Sequence, residues 1–207
     1  MAKQEFRLLG LSGSLRAASS STAILRTLAT HMPQDTSLTL HPIGDLPLYN
    51  EDLDQESTLP PSIAALRTAI AHANGVIIAT PEYNHSIPGV LKNALDWASR
   101  PSHYSCMVNK PFLVMTVAGS QVGGARAQSH IHTILLASLA RIPPGREIVI
   151  GGVTKKISNG VLSDQPTLNF IANAIDGLLH EACIVEGRPV RAPSRDGERR
   201  MNLAGRA

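Results

Sequence analysis

The sequence predicts a doubly wound α/β protein with a parallel sheet. Short apolar runs, such as Gly75–Thr80 and Pro111–Val117, alternate with longer segments whose apolar residues recur at helical spacing. These runs are apolar throughout and rich in β-branched residues, as expected of strands that helices cover on both faces. Strands and helices that alternate in this way build parallel sheets through right-handed crossovers.

The first half of the chain gives two strands and two helices. The first strand is the run Phe6–Leu11, and a serine-rich turn joins it to a helix at 21–32. A second strand at Ser37–Ile43 is followed by the polar, proline-rich segment 44–61, which we expect to be an exposed excursion. A helix follows at Pro61–Ala73, because proline is tolerated in a first helical turn, where its missing N–H would have no partner.

The second half repeats the alternation three times. Each unit is an apolar strand, a loop that carries glycine or proline, and an amphipathic helix. The strands are expected at Gly75–Thr80, Pro111–Val117 and Arg146–Val153, and the helices from the cap Ser86 to Ala98, at Ala125–Arg141 and at Pro166–Val185.

Length and composition favour a single domain. A chain of 207 residues with 43% hydrophobic and 17% charged residues can bury one large core. We expect residues 1–185 to form that domain and residues 186–207 to be a basic, flexible tail. Apolar runs stay below the roughly 18 residues of a membrane helix, so we expect a cytoplasmic protein with no membrane partner.

Charge, cysteines and histidines argue against several functions. The net charge is +3, and the tail alone supplies six arginines against three acids, so the body is nearly neutral and offers no broad basic face to nucleic acid. Cys106 and Cys183 form no C-x-x-C pair, which indicates reduced thiols. His130 and His132 are two residues apart on a helix and cannot share a face, so no metal site is predicted.

Ligands of open parallel sheets bind beyond the carboxyl ends of the strands, so the loops after strands one, three and four form the candidate site. The first loop, "SGSLRAASSST", combines several hydroxyl groups with Arg16 directly before a helix N-terminus. Free N–H groups, the positive end of the helix dipole and a guanidinium suit a phosphomonoester. Serine caps without a ligand explain part of the same pattern. The loop lacks the G-x-x-x-x-G-K-[ST] and G-x-G-x-x-G motifs, which disfavours NTP hydrolysis and a direct dinucleotide site.

The second loop, "PEYNHSIPG", has rigid ends. Pro81 and Pro88 stiffen it, and Ser86 is expected to cap the following helix. The segment Glu82–His85 is then presented to a planar ligand with polar edges, and Tyr83 can stack on that ligand. On the alternative interpretation, Glu82 is a solvated loop residue and Tyr83 is a packing residue.

The third loop, "AGSQVGGAR", carries glycines that allow close approach of the backbone to a ligand, and Arg126 lies on the helix beyond it. A plain turn from strand to helix explains these glycines equally well. The chain contains no G-x-S-x-G or H-E-x-x-H motif, which disfavours a hydrolase.

Taken together, the loops resemble those of the NADPH-dependent FMN reductase family, the flavodoxin-like group that includes quinone, chromate and azo-dye reductases. Gly13–Ser21 resembles its phosphate loop G-S-x-R-x-x-S-x-[NS]. Pro81–Trp97 resembles its P-E-Y-N-x-S-x-P-G-x-L-K-N-x-[IL]-D-W signature almost position for position. Gly123–Gln128 is a weaker third match, and the resemblance extends to about Val185.

The resemblance implies a five-stranded sheet in the order 2-1-3-4-5, helices on both faces, and FMN bound without a covalent bond. The residues carried over are Ser14, Arg16, Ser19 and Ser21 for the phosphate, Pro81, Glu82, Tyr83 and Asn84 for the isoalloxazine ring, and the backbone from Ala118 to Ser120 for its pyrimidine edge. Ser21 stands where many members have asparagine. No side chain is expected to be catalytic, because the flavin N5 carries the chemistry.

The implied function is an NAD(P)H-dependent oxidoreductase with a ping-pong mechanism. Hydride passes from NADPH or NADH to FMN and then to a small-molecule acceptor, which is a quinone, an azo compound, chromate or free flavin. Family members are commonly dimers or tetramers, so we expect a homodimer or homotetramer in which a partner partly buries Trp97. The alternatives are a flavin-binding electron carrier or redox-responsive partner protein, and a phosphosugar or nucleotide-binding protein without redox activity.

Overall fold

The computed structural model describes residues 5–189, in which strands and helices alternate as predicted. The helices are α1 (Ser20–Ala29), α2 (Pro61–His72), α3 (Gly89–Ala98), α4 (Ala125–Ala137) and α5 (Gln165–Val185). The strands are β1 (Phe6–Ser12), β2 (Thr36–His41), β3 (Gly75–Thr80), β4 (Phe112–Val117), β5 (Ile148–Ile150), β6 (Ile157–Ser158) and β7 (Val161–Leu162). Short 3₁₀ turns lie at Glu51–Leu53 and Val153–Lys155.

The first five strands form one parallel sheet in the order β2-β1-β3-β4-β5, which confirms the predicted class and order. β1 lies between β2 and β3, with Leu8 opposite Leu38 on one side and Gly75 on the other. The strand order therefore reverses beside β1. The loops after β1 and β3 open at this reversal, where ligands of doubly wound sheets bind.

Helices cover the two faces of the sheet with separate apolar layers. On one face α1 and α5 pack against alternate strand residues such as Ile77 and Met115. On the other face α2, α3 and α4 pack against Ile78 and Val114. Every residue of β3 and β4 is buried, which explains why both sequences are continuous apolar runs.

The excursion between β2 and α2 is anchored on α3. Trp97 is completely buried within the single chain, and its Nε1–H donates to the Pro47 carbonyl oxygen at 2.8 Å. Its ring meets that of Tyr49 edge-on at a centroid distance of 4.9 Å, and the Tyr49 N–H donates to Asn93 Oδ1 at 2.8 Å. The expectation that a partner subunit buries Trp97 is therefore wrong, because the chain's own excursion covers it.

A short antiparallel hairpin follows β5, and the sequence interpretation did not include it. β6 and β7 are joined by Asn159 and Gly160, whose φ angles are 49° and 77°. These angles are those of a type I′ turn, for which Asn-Gly is the preferred pair. The hairpin is attached to α1, since the Leu162 N–H donates to Thr27 Oγ1 at 3.0 Å. It lies beyond the predicted fifth strand, Arg146–Val153, of which only Ile148–Ile150 is a strand in the structure.

Helix α5 is long and apolar enough to cross a membrane by length and composition alone. It is a core helix in this fold, because ten of its residues are buried within the protein. Just beyond it, the Arg188 N–H donates to the Cys183 carbonyl oxygen at 2.9 Å, and the Arg188 guanidinium carbon lies 4.8 Å from the centre of the Phe6 ring. The rest of the predicted tail, residues 190–207, lies outside the described residues.

Asp164 caps the start of α5. Its Oδ2 accepts the Thr167 N–H at 3.0 Å, and hydrogen bonds from the Thr167 side chain and backbone hold the pKa of the Asp164 carboxyl below its usual range. We expect Asp164→Ala to lower the free energy of unfolding by about 1 kcal/mol at pH 7. The carboxylate stabilises the fold fully above the ordinary aspartate pKa of about 3.9, and this contribution is lost as the pH falls through the lowered pKa of the folded state. Urea unfolding of both proteins at pH 7 and pH 3 tests this: a difference that does not shrink at pH 3 contradicts it.

Candidate functional site

The loops after β1, β3 and β4 meet at one edge of the sheet. They span 13–19, 81–88 and 118–124, beyond the carboxyl ends of three neighbouring strands. The Gly13 N–H donates to the Ala79 carbonyl oxygen at 2.8 Å, which ties the first loop to the end of β3. The structure therefore brings the three predicted segments together.

Gly13 lies where the first loop leaves β1, directly against Thr80. A Cβ atom at this position would lie 2.2 Å from Thr80 Oγ1 and 2.7 Å from Thr80 Cβ. Both residues are buried, so neither can move aside into solvent. Glycine is required here because the two strand ends approach so closely.

Hydroxyl groups shape the first loop. Ser12 Oγ lies 2.8 Å from Thr22 Oγ1 and accepts the Ser14 N–H at 3.3 Å. Ser14 Oγ accepts the Arg16 N–H at 3.4 Å, and Ser19 Oγ caps α1 by accepting the Thr22 N–H at 3.1 Å. A hydroxyl that accepts a hydrogen bond still carries its own proton. Ser14 and Ser19 therefore shape the loop and can also donate to a ligand.

The same loop offers backbone donors that the chain does not use. Within residues 5–189, no acceptor is bonded to the N–H groups of Leu15, Ala17, Ala18, Ser20 and Ser21. Two of these groups open α1, so they lie at the positive end of the helix dipole. The exposed Arg16 adds a full positive charge beside them. This set of donors fits a phosphate monoester.

Ser21 is buried, as Ser19 is, whereas Ser14 is partly exposed and Arg16 is exposed. Ser21 is only 2% exposed and shares the buried side of α1 with Ile24 and Leu28. Its backbone N–H is therefore the donor most clearly available at this position.

The second loop is a tight turn. Tyr83 and Ser86 bond to each other through both backbone pairs, at 2.9 and 3.0 Å, and the φ angles of Asn84 and His85 between them are 49° and 66°. This is the left-handed geometry of a type I′ turn. Tyr83 is 46% exposed at the edge of the turn, so its ring is available to a ligand.

Glu82 faces away from solvent and towards α4. Its side chain is 14% exposed, and Oε2 accepts the N–H groups of Arg126 at 3.0 Å and Ala127 at 3.2 Å. Oε1 lies 3.6 Å from the Arg126 guanidinium. The carboxylate is therefore engaged by α4, and the backbone of Glu82 is the part of the residue that remains for a ligand at the ring site.

Ser86 does not cap α3, contrary to the sequence expectation. Pro88 occupies the N-cap position without a side-chain cap bond, and Ser86 Oγ instead lies 2.9 Å from His130 Nδ1 on α4. The His130 contact was missed because 44 residues separate the two partners, so no local pattern could indicate it.

The third loop is held by the segment after β5. The Ala118 N–H donates to the Ile150 carbonyl oxygen at 3.0 Å, and the Ala118 carbonyl oxygen accepts the Val153 N–H at 3.1 Å. Within residues 5–189, the N–H groups of Gly119 and Ser120 donate to no other group. They are free donors in the segment that is predicted to meet the polar edge of a ligand.

A cavity of about 420 Å³ opens between the first loop and the start of α3, a volume in the range of small-molecule sites. Its walls are formed by Gly13, Leu15, Arg16, Tyr83, Pro88, Gly89 and Val90. Arg16 and Tyr83 thus line one space, and their contact with a shared ligand stays a prediction.

Neither cysteine belongs to this site. Burial raises the pKa of the Cys106 thiol to about 11, so it stays protonated at neutral pH, and Cys183 is buried in the core. Among the described residues, no group of three or more histidine, cysteine, aspartate or glutamate side chains could hold a metal ion.

The sheet order defines a flavodoxin-like α/β protein, and its three loops offer donors that fit a phosphate-bearing ligand. The family model for NADPH-dependent FMN reductases matches residues 6–155. The chain belongs to this family, whose members use FMN with NAD(P)H as the electron donor.

Individual relatives agree with the family. The quinone reductase of Escherichia coli (strain K12) is 37% identical over 175 residues, which are 83% of this chain and 93% of that protein. An NAD(P)H-dependent FMN reductase of Pseudomonas aeruginosa is 40% identical over 132 residues, 64% of this chain and 70% of that protein. The solved structure of FerB, a flavoenzyme NAD(P)H:(acceptor) oxidoreductase from Paracoccus denitrificans, superposes with a TM-score of 0.77 at 30% identity, covering 88% of this chain and 98% of that one.

Proposed function

We propose that this chain is an FMN-containing oxidoreductase that takes a hydride from NADPH or NADH and delivers it to a small-molecule acceptor in a ping-pong cycle. The observation that carries the proposal is the distribution of free donors. The N–H groups at the start of α1, with Arg16, stand at one end of the site, and those of Gly119 and Ser120 stand at the other. The exposed Tyr83 turn follows β3, and β3 lies between β1 and β4 in the sheet, so the turn lies between these two sets of donors. One ligand with a phosphate at one end and a polar ring edge at the other satisfies both sets.

The residues divide into two groups in this proposal. The phosphate is held by the hydroxyls of Ser14 and Ser19, the Arg16 guanidinium and the N–H of Ser21. The ring is lined by Pro81, Tyr83, Asn84 and the backbone of Glu82, and its pyrimidine edge meets the loop from Ala118 to Ser120. Bound FMN supplies the redox chemistry, so no side chain needs to act as a general acid or base.

The position of the second loop supports a ping-pong order. If the Tyr83 turn covers one face of the ring, the nicotinamide and the acceptor have to use the remaining face one after the other. We propose quinones as the first acceptors to assay, because the Escherichia coli relative is named a quinone reductase. Azo compounds, chromate and free flavin are the further acceptors of the same proposal.

An absorbance spectrum of the purified protein, before and after anaerobic NADPH, tests the function. We expect a flavin band that bleaches rapidly in stopped-flow and returns when a quinone is added. Bleaching over minutes or longer favours the alternative, an electron carrier without useful turnover. A protein that takes up no FMN contradicts both and leaves a phosphosugar or nucleotide-binding protein.

We also propose that the protein is a cytoplasmic homodimer or homotetramer. A groove between α3 and α4 contains two spaces of about 420 and 380 Å³ that share Lys92, Thr133 and Ile134, and Leu136 on α4 is 61% exposed. A second copy of the chain that covers this groove would bury that apolar surface. The two free thiols suit a reducing compartment. Light scattering coupled to size exclusion gives the assembly, and a monomer at micromolar concentration contradicts the oligomer.

Arg16→Ala tests the phosphate site separately from the ring site. A hydrogen bond to a charged group contributes about 1.5–3 kcal/mol, so we expect the Kd for FMN to rise about 10- to 100-fold. The Kd for riboflavin, which has no phosphate, should stay within about twofold of the wild-type value. Fluorescence titration with both flavins measures this, and Arg26→Ala in the last turn of α1 is the matched control. Equal losses for both flavins would place Arg16 elsewhere in the site.

A further inference from the structure

We propose that Glu82 and the Ser86–His130 pair are positioning groups that fasten the Tyr83 turn to helix α4. This inference rests on the proposed function, because it assumes that the turn forms the wall of the flavin ring site. It assigns the Glu82 carboxylate a task other than contact with the flavin.

The turn needs external support. Asn84 and His85 both have left-handed backbone angles, which asparagine tolerates but which disfavour histidine by about 1 kcal/mol. Both residues are exposed to solvent. A turn of this kind keeps one conformation when the surrounding structure fixes both of its ends.

The first fixed point is Glu82. Helix α4 begins after Gly124, whose φ is 88° and which has no side chain to cap the helix. Glu82 supplies the missing cap, because one of its carboxylate oxygens accepts the N–H groups of Arg126 and Ala127, which lie 44 and 45 residues further along the chain. Its negative charge lies at the positive end of the α4 dipole, where an anion is stabilising.

The second fixed point is the contact between Ser86 and His130. His130 lies about one helical turn beyond Arg126 and Ala127, on the same side of α4. The two ends of the turn, Glu82 and Ser86, are therefore held at successive turns of one helix. The segment between them is left free to face a ligand.

This arrangement couples the second loop to the third. A Cβ atom at Gly124 would lie 3.1 Å from Thr116 Cβ and 3.4 Å from Glu82 Cβ, so the end of β4, the start of α4 and the turn are in close contact. A shift of α4 would move the wall beneath the ring and would leave the phosphate loop in place, since Ser14 and Arg16 are shaped by α1 and β1.

The experiment compares Glu82→Ala and Glu82→Gln with wild type in fluorescence titrations with FMN and riboflavin. Loss of a helix cap predicts a Kd about tenfold higher for Glu82→Ala, by the same factor for both flavins. Glu82→Gln should remain within about threefold of wild type, because one amide oxygen can still accept both α4 N–H groups. The visible spectrum of FMN bound to Glu82→Ala should also shift towards that of free FMN.

Two further variants separate positioning from stability. Asp164→Ala removes a comparable helix cap on α5 and should leave both flavin affinities unchanged. His130→Ala removes only the second fixed point and changes an exposed side chain, so this variant should fold even if Glu82→Ala does not. We expect its Kd for FMN and its Kd for riboflavin to rise about threefold.

The outcomes are distinct. If Glu82→Gln loses as much affinity as Glu82→Ala, the carboxylate contacts the ligand directly and the inference is overturned. Wild-type affinity in both Glu82→Ala and His130→Ala overturns it as well, while the proposed function stands. If the wild-type protein itself binds neither flavin, the proposed function fails first.

Discussion

Gly13→Ala is expected to weaken FMN binding about 100-fold and to lower the free energy of unfolding by about 3 kcal/mol. The added methyl group would lie 2.2 Å from Thr80 Oγ1 and 2.7 Å from Thr80 Cβ, and because Cβ does not move when the side chain rotates, a rotation cannot relieve the clash. The ends of β1 and β3 would have to separate, and they carry the first and second loops of the site. FMN fluorescence titration and urea unfolding measure the two effects.

Two controls define the origin of this effect. Gly177→Ala introduces the same methyl group in the middle of α5, where nothing lies within 4 Å, and should raise the free energy of unfolding by about 0.5–1 kcal/mol. In the double variant Gly13→Ala with Thr80→Gly, the Thr80 Oγ1 and Cβ atoms that cause the two shortest contacts are removed. We expect it to recover most of the FMN affinity. If the double variant binds FMN as weakly as Gly13→Ala does, the contact with Thr80 is not the cause of the lost affinity.

Local sequence patterns predicted the fold and the location of the site because each depends on neighbours along the chain. Continuous apolar runs identified β3 and β4, and loops at strand ends identified the site edge. The β6–β7 hairpin carried an equally local signal, Asn159-Gly160 between apolar residues, and could have been predicted.

Some side chains make contacts that differ from the role their local motif suggests, and local sequence patterns could not predict these contacts. The motif around Glu82 predicts a residue that contacts the ligand, yet its carboxylate accepts hydrogen bonds from N–H groups that lie 44 and 45 residues further along the chain. Ser86 satisfies the usual rule for a helix cap, but the tight Tyr83–Ser86 turn directs it to His130. In both cases tertiary contacts between loops decide between roles that the local sequence permits equally.

Trp97 is the residue for which the structure changed the expectation most, and Trp97→Ala should lower the free energy of unfolding by about 3–5 kcal/mol. Its ring is fully buried between α3 and the excursion, with Tyr49 at a centroid distance of 4.9 Å and the Arg67 guanidinium carbon at 5.9 Å. Truncation would leave a large cavity and remove the hydrogen bond to Pro47. A loss of this size is a large share of the 5–15 kcal/mol by which ordinary domains are stable.

The same measurement checks that the burial of Trp97 does not depend on association with a second copy of the chain. Because the chain's own excursion buries Trp97, the loss of stability in urea unfolding, followed by far-UV circular dichroism, should be equal at low and high protein concentration. Burial by a partner would instead give a concentration-dependent loss and a dissociated but folded subunit. Trp97→Phe keeps most of the aromatic ring and should lower the free energy of unfolding by only about 1–2 kcal/mol, because the Pro47 carbonyl oxygen still accepts the Asn93 side-chain N–H at 2.9 Å. The flavin affinity of folded Trp97→Phe should match wild type, since Trp97 lies at the end of α3 remote from Pro88 and the site.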